Sequence, residues 1–167
     1  TPEIQNPAEP SDLWLIDLSA GADRLGITAL AQGYGSAGGT VPDLDDPARL
    51  RALVRLLAAA RRAGLLQAWH DRSDGGLWVC LLEMAFAARC GLRIELAAEI
   101  EPLPRLLSEE PGGVLQVRQS DRAAFELMLA QFELTELASI VAQPLRQPWV
   151  DLRARDLTIS APLHELL

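Results

Sequence analysis

An imidazole, two carboxylates, a guanidinium, a hydroxyl and a paired glycine crowd into His70-Asp71-Arg72-Ser73-Asp74-Gly75-Gly76. The stretch lies between two apolar runs, GLLQAW and LWVCLLEMAFAA, and so reads as the turn between a strand and a helix. The first N–H groups of a helix have no partner inside it, and such a start favours an anion. Gly75 and Gly76 carry no Cβ and let a ligand come close to the backbone. Ser73 can donate a hydrogen bond to a phosphate oxygen. Asp71 repels phosphate unless a cation stands between them, and Mg²⁺, which prefers oxygen ligands, is suited to that place. The turn therefore points to a polyphosphate held through a metal ion, with Asp71 on the metal and Ser73 on the phosphate. A purely structural account stays open: Asp74 as the helix N-cap, Ser73 in the turn, and the glycines for close packing. Arg72 is expected to be solvated, and His70 to be a half-buried, satisfied side chain at the strand end. Glu83, the lone charge of the following apolar run, is expected at an edge, because a buried unpaired charge is costly.

Other chemistries fail on spacing or supply. Gly33-Tyr34-Gly35-Ser36-Ala37-Gly38 matches G-x-G-x-x-G, but a helical run precedes it and Gly39-Thr40-Val41-Pro42 follows, the reverse of a dinucleotide-binding turn. It reads as a surface loop. His70, Ser73 and Asp74 are too close in sequence for a hydrolytic triad, and no G-x-S-x-G elbow is present. The chain has 2 Cys and 2 His, with His164 far from the rest, which is too few for a zinc centre. All 15 basic residues are Arg, so Schiff-base lysine chemistry and the P-loop lysine are both excluded.

The elements that hold this turn suit one globular domain. Its 167 residues are 49% hydrophobic and 23% charged, enough for a core and too apolar for disorder. A net charge of -8 argues against a nucleic-acid surface. There is no charged-then-apolar leader and no apolar run of membrane length, so the expected address is the cytoplasm, with no membrane or nucleic-acid partner. Cys80 and Cys90 lie about 15 Å apart if their segment is helical, too far for a disulfide, and are expected as free thiols. The start at Thr1 and the finish at LHELL suit a piece of something longer.

Residues 1–11 read as an extended arm and 12–167 as the domain. Strands are predicted at 12–18, 65–71, 92–96, 113–118 and 137–143, with a terminal hairpin over 149–160. Asp46 and Pro47 open a helix that Gly64 ends. A buried helix is predicted over 76–91 with Gly91 as its stop, a short one near 102–110, and another capped by Ser120. The fold class is α/β (α+β), a mixed sheet with packed helices.

AWHDRSDGGLWVCLLEMAFAARCGLRIEL (68–96) resembles a stretch of the large single-chain phosphoribosylformylglycinamidine (FGAM) synthases. LGITALAQGYG (25–35), PDLDDPARLRALVRLL (42–57) and LLSEEPGGVLQVRQSDR (106–122) carry the resemblance through most of the chain. It implies the AIR synthase-type C-terminal domain of the second synthetase unit of such an enzyme. Those enzymes use ATP, glutamine and Mg²⁺ to amidate formylglycinamide ribonucleotide in purine synthesis. Related turns occur across the AIR synthase superfamily, so other ATP-dependent members are the alternative, as is a packing module without a site. By this resemblance Asp71 falls on a magnesium ligand and Ser73 on a contact to ATP or ADP in an auxiliary site. The implied partners are the preceding synthetase domain and a glutaminase domain, and the piece alone is expected to be inactive. One departure stands out: Leu25-Gly26-Ile27-Thr28 occupies a place where related domains often have Leu-Gly-Gly-Ser.

Overall fold

A run that is apolar on both faces belongs in the middle of a sheet, and Ser11–Asp17 (β1) is such a strand, buried at every position. The computed structural model of the chain describes residues 1–36 and 38–166. The further strands are Ala68–Asp71 (β2), Gly91–Glu95 (β3), Gly112–Arg118 (β4), Ala138–Leu145 (β5), Trp149–Ala154 (β6) and Leu157–Pro162 (β7). They form one sheet in the order β2-β4-β1-β5-β3-β6-β7. Every neighbouring pair is antiparallel except β3 and β6, which run parallel, so the sheet is mixed as predicted. β1, β2, β3 and β6 point one way, and their C-terminal ends meet the starts of β4, β5 and β7.

The α-helices among the described residues are Ala29–Gly33 (α1), Pro47–Arg62 (α2), Gly76–Ala88 (α3), Pro102–Leu107 (α4) and Arg122–Gln131 (α5). α2, α3 and α5 pack on the sheet, and Leu106 of α4 joins the α3-side core. The alternation of β1 divides the core in two. Leu13 and Leu15 join Leu77, Leu81 and Met84 of α3, together with Leu92, Ile94, Val150 and Leu152. Trp14 and Ile16 face Leu53, Leu56 and Ala60 of α2 and Phe125 and Leu129 of α5. Trp14 and Phe125 meet edge to face at 5.4 Å. Ahead of β1, Ile4 is buried in the α3-side core.

Local chemistry accounts for most boundaries. Asp46 caps α2 by accepting from the Ala48 amide, and Pro47 occupies the first turn. The predicted strand over 65–71 is shorter, beginning at Ala68, because the Leu65 and Leu66 amides bond back to Ala60 at the end of α2. α3 stops earlier than predicted: Arg89 takes the left-handed conformation at φ 52°, and Gly91 instead opens β3. Ser120 does not cap α5; it lies in a 3₁₀ turn over Gln119–Asp121 that leads into the helix. The hairpin of β6 and β7 is present, and β6 also extends the sheet through β3. Ala37, within the Gly33–Gly38 motif, and Leu167 lie outside the described residues. α1 ends at Gly33, so a helix does precede that motif. Among the described residues no helix is long and apolar enough to cross a membrane.

The two faces of α5 provide a test. Phe125 is fully buried and Leu127 is 75% exposed. Phe125→Ala is expected to lower unfolding free energy by about 3–5 kcal/mol, and Leu127→Ala to change it by no more than about 0.5 kcal/mol. Urea unfolding reads both; equal losses would contradict the packing of α5 described above.

Candidate functional site

Strand polarity brings the chemistry-bearing residues to one end of the sheet. Asp17 ends β1, Asp71 ends β2, and Glu110 lies two residues before the start of β4. Asp71 is open to solvent, its side chain 72% exposed, and Ser73 and Asp74 are exposed with it. The residues assigned to metal and phosphate thus lie together on the surface of one turn. Asp74 is not the cap of α3. That position is Gly75, in the left-handed conformation at φ 81° and with no side-chain cap. Gly76 has φ 70°, and a Cβ there would stand 2.6 Å from the Ser108 carbonyl oxygen, so this glycine lets the turn press against the end of α4.

His70 is half-buried and satisfied, as expected. Its Nε2 lies 2.9 Å from Glu83 Oε2 and its Nδ1 3.4 Å from Asp71 Oδ1. Glu83 is at an edge, and its partner is this imidazole. Both thiols are buried and free. Burial pushes Cys80 up to about 12, with Asp71 and Glu83 adding to the effect, and Cys90 up to about 11. Neither is a nucleophile at neutral pH.

Arg72 overturns the expectation of a solvated side chain: it is 4% exposed. Its Nη2 donates to Asp17 Oδ1 at 2.7 Å and its Nε to the Glu110 carbonyl oxygen at 2.6 Å. The side chain points inward because a buried carboxylate waits at the end of β1. Asp17 accepts further bonds from the Ser19 amide and hydroxyl, from the Gly21 amide and from Arg105 Nη1. Burial alone would raise the Asp17 carboxyl, but Arg72, the Ser19 hydrogen bond and Arg105 outweigh it and hold the group below its ordinary value. Asp23, which Arg105 also reaches at 3.2 Å, is shifted upward, chiefly by burial.

Two more carboxylates organise the same sheet end. Glu110 is fully buried and accepts from the backbone, Nε and Nη2 of Arg24, whose guanidinium continues to Asp45 at 3.0 Å. Glu109 Oε1 accepts from the Gly75 amide at 2.9 Å and from the Ala29 amide at 2.8 Å. The helix start expected to meet an anion thus already holds one, while the Gly76 amide bonds to the Ser73 carbonyl oxygen. A cleft of about 270 Å³ has Asp17, Arg105, Leu96, Ile100 and Glu136 in its walls. Asp71 and Ser73 are not part of its lining.

Residues 13–145 match the family model described as AIR synthase related protein, C-terminal domain. The chain belongs to this family. Its fold is shared with *T. maritima* PurL complexed with ATP, at TM-score 0.73 and 14% identity over 98% of this chain and 26% of that one. The FGAR complex of *T. maritima* PurL gives TM-score 0.74 and 15% identity, over 98% and 28%. *E. coli* HypE, a hydrogenase maturation protein, gives 0.61 and 17%, over 93% and 50%. The chain therefore spans about a quarter of the PurL chain and half of HypE.

Within this AIR synthase related domain, sequence reasoning missed Asp17, Glu109 and Glu110. Asp17 did leave a trace, since Asp-x-Ser-x-Gly after a buried strand is the pattern of a carboxylate gathering the following turn. The adjacent acids of Ser108-Glu109-Glu110 are a weaker signal, because their donors are more than 30 residues away.

Because the folded Asp17 carboxyl lies below its unfolded value of 3.8, its stabilisation is present above that pH and lost as pH falls through the lower folded value. Asp17→Asn is expected to cost about 3–5 kcal/mol at neutral pH, since it leaves Arg72 buried opposite an uncharged group. Urea unfolding of both proteins over a pH series should show the gap narrowing on acidification. A gap that does not change with pH would rule out the carboxylate as its source.

Proposed function

We propose that this chain is the C-terminal domain of the second synthetase unit of a single-chain phosphoribosylformylglycinamidine synthase, a glutamine-dependent, ATP-consuming ligase of purine synthesis. In it the domain forms one wall of an auxiliary ATP/ADP–Mg²⁺ site, with Asp71 on the cation and Ser73 on the nucleotide. The observation that carries this proposal is the presentation of both side chains to solvent from one turn at the C-terminal end of β2. The resemblance of this turn to FGAM synthases, and the ATP complex of *T. maritima* PurL on the same fold, support the assignment.

The donor set suits a hard cation but does not enclose one. Among the described residues no three His, Cys, Asp or Glu side chains gather to hold a metal. Asp71 offers a single exposed carboxylate, and Mg²⁺ commonly takes one or two of these with phosphate and water oxygens. When bound, the cation would neutralise the phosphates that Asp71 otherwise repels. Ser73 would orient a phosphate oxygen through its hydroxyl, and His70, tied to Glu83, would restrain Asp71. The other ligands and the glutaminase chemistry would come from the remaining domains of the parent enzyme, so this piece alone turns over nothing.

A second reading, a domain of another ATP-dependent member of the superfamily, draws on the likeness to HypE, half of whose chain this fold covers. A parent reading frame that also encodes a preceding synthetase unit and a glutaminase would exclude it.

Calorimetry of Mg–ADP with this chain should give weak binding, with a dissociation constant of about 1 mM or above, that Asp71→Ala abolishes. Tight binding that depends on Asp71 would contradict the half-site. Weak binding that Asp71→Ala leaves unchanged would remove Asp71 from the site. In the parent enzyme Asp71→Ala should lower stability or activity; a silent substitution there would favour a packing module.

A further inference from the structure

The helix layer over Trp14 and Ile16 carries its charge in two opposite blocks. From Pro47 to His70 the chain has Arg49, Arg51, Arg55, Arg61 and Arg62 and no acid. From Ala123 to Leu145 it has Glu126, Glu133 and Glu136 and no base. The first block centres on α2 and the second on α5, and the two helices lie side by side on one core. Arg49 is engaged by Asp46 and by the Leu18 carbonyl oxygen. The other arginines and the three glutamates are exposed, and among the described residues they form no ion pair. The same layer holds Leu127 and Val54, at 75% and 58% the two most exposed large aliphatic side chains among the described residues. A basic helix beside an acidic one is complementary to itself once turned by half a revolution. A two-fold axis running between α2 and α5 sets the arginines of each copy on the glutamates of the other, and every contact is made twice. Arginine stems then cover the apolar side chains while their planar heads meet carboxylates. The net charge of -8 opposes pairing of two copies. At physiological salt, however, charges more than about 8 Å apart are largely screened, and those in contact are not.

We propose that the outer face of α2 and α5 is a self-complementary docking surface whose occupant is a second copy of this chain. The 16 residues of α2 span about 24 Å, and a pair of helices is about 20 Å across. The footprint is then about 500 Å² per copy, at the low end for specific interfaces, so the dimer is weak and reversible. None of these residues belongs to the turn of Asp71 and Ser73, and the pairing does not depend on the nucleotide function proposed above.

Sedimentation of the full chain between about 10 μM and about 1 mM, the range of weak interfaces, should show a reversible monomer–dimer equilibrium. Arg51→Glu with Arg55→Glu sets acid against acid. It should weaken association by about tenfold or more, since each substitution counts twice across the axis. Glu126→Arg with Glu133→Arg sets base against base and should weaken it as much. Neither double variant matches itself, but a mixture of the two is complementary again at both contacts and should sediment as a heterodimer. Mere damage to the surface would not be rescued in this way. A wild type that stays monomeric at about 1 mM overturns the proposal and leaves the face to another domain or another protein. A dimer that both double variants leave intact overturns it as well, as does a mixture that remains monomeric. Should a double variant fail to fold, as read by circular dichroism, Leu127→Asp decides. It places an unpaired charge at the centre of the contact and should abolish the dimer; an unchanged dimer overturns the proposal.

Discussion

One buried carboxylate holds the functional end of this sheet together. Asp17 takes hydrogen bonds from the loop that follows its own strand, from Arg72 in the turn after β2, and from Arg105 in α4. A charge so placed is tolerable only if it is fully surrounded by donors, and a guanidinium beside it only if the carboxylate stays ionised. Each therefore requires the other. Because Arg72 lies between Asp71 and Ser73, the ion pair at its tip also fixes which way its neighbours face. With Arg72 drawn inward, the residues on either side are turned out to solvent. The exposure of the candidate ligands follows from the burial of the residue between them.

The local parts of this arrangement could be read from the chain, and the non-local parts could not. Asp46-Pro47 announced α2 through capping chemistry, and the unbroken apolar run of β1 announced a central strand. The alternation through Leu92 and Ile94 likewise marked β3. Arg72 was misjudged because an isolated Arg in a polar turn is ordinarily solvated; only the pairing of β1 and β2 with β4 brings Asp17 within its reach. Glu109 was missed for the same reason, since its donors come from elements that precede it by tens of residues. The early stop of α3 was missed because Arg89, and not the glycine two positions on, adopts the left-handed turn. Asp71 and Ser73 were found because their chemistry is local: a carboxylate and a hydroxyl on one turn suggest a cation and a phosphate wherever the turn lies.

Ile27 shows how far a backbone can keep a conformation that its side chain disfavours. It lies next to the cap of α1 at φ 61°, a left-handed conformation in which a β-branched residue is strained by about 1–3 kcal/mol. Its side chain is 56% exposed, so packing of that side chain is not what compensates. The surroundings do. Thr28 caps α1 with its hydroxyl, Gln32 donates back to the Ile27 carbonyl oxygen, and Gly26 is pressed against Gly39 and Thr40. This backbone has the form that a glycine would take freely. The loop keeps that form because its ends are held: on one side by the Glu109 carboxylate at Ala29, on the other by Arg24 bridging Glu110 and Asp45. Through these contacts, acids that precede β4 impose the shape of a loop eighty residues earlier in the chain.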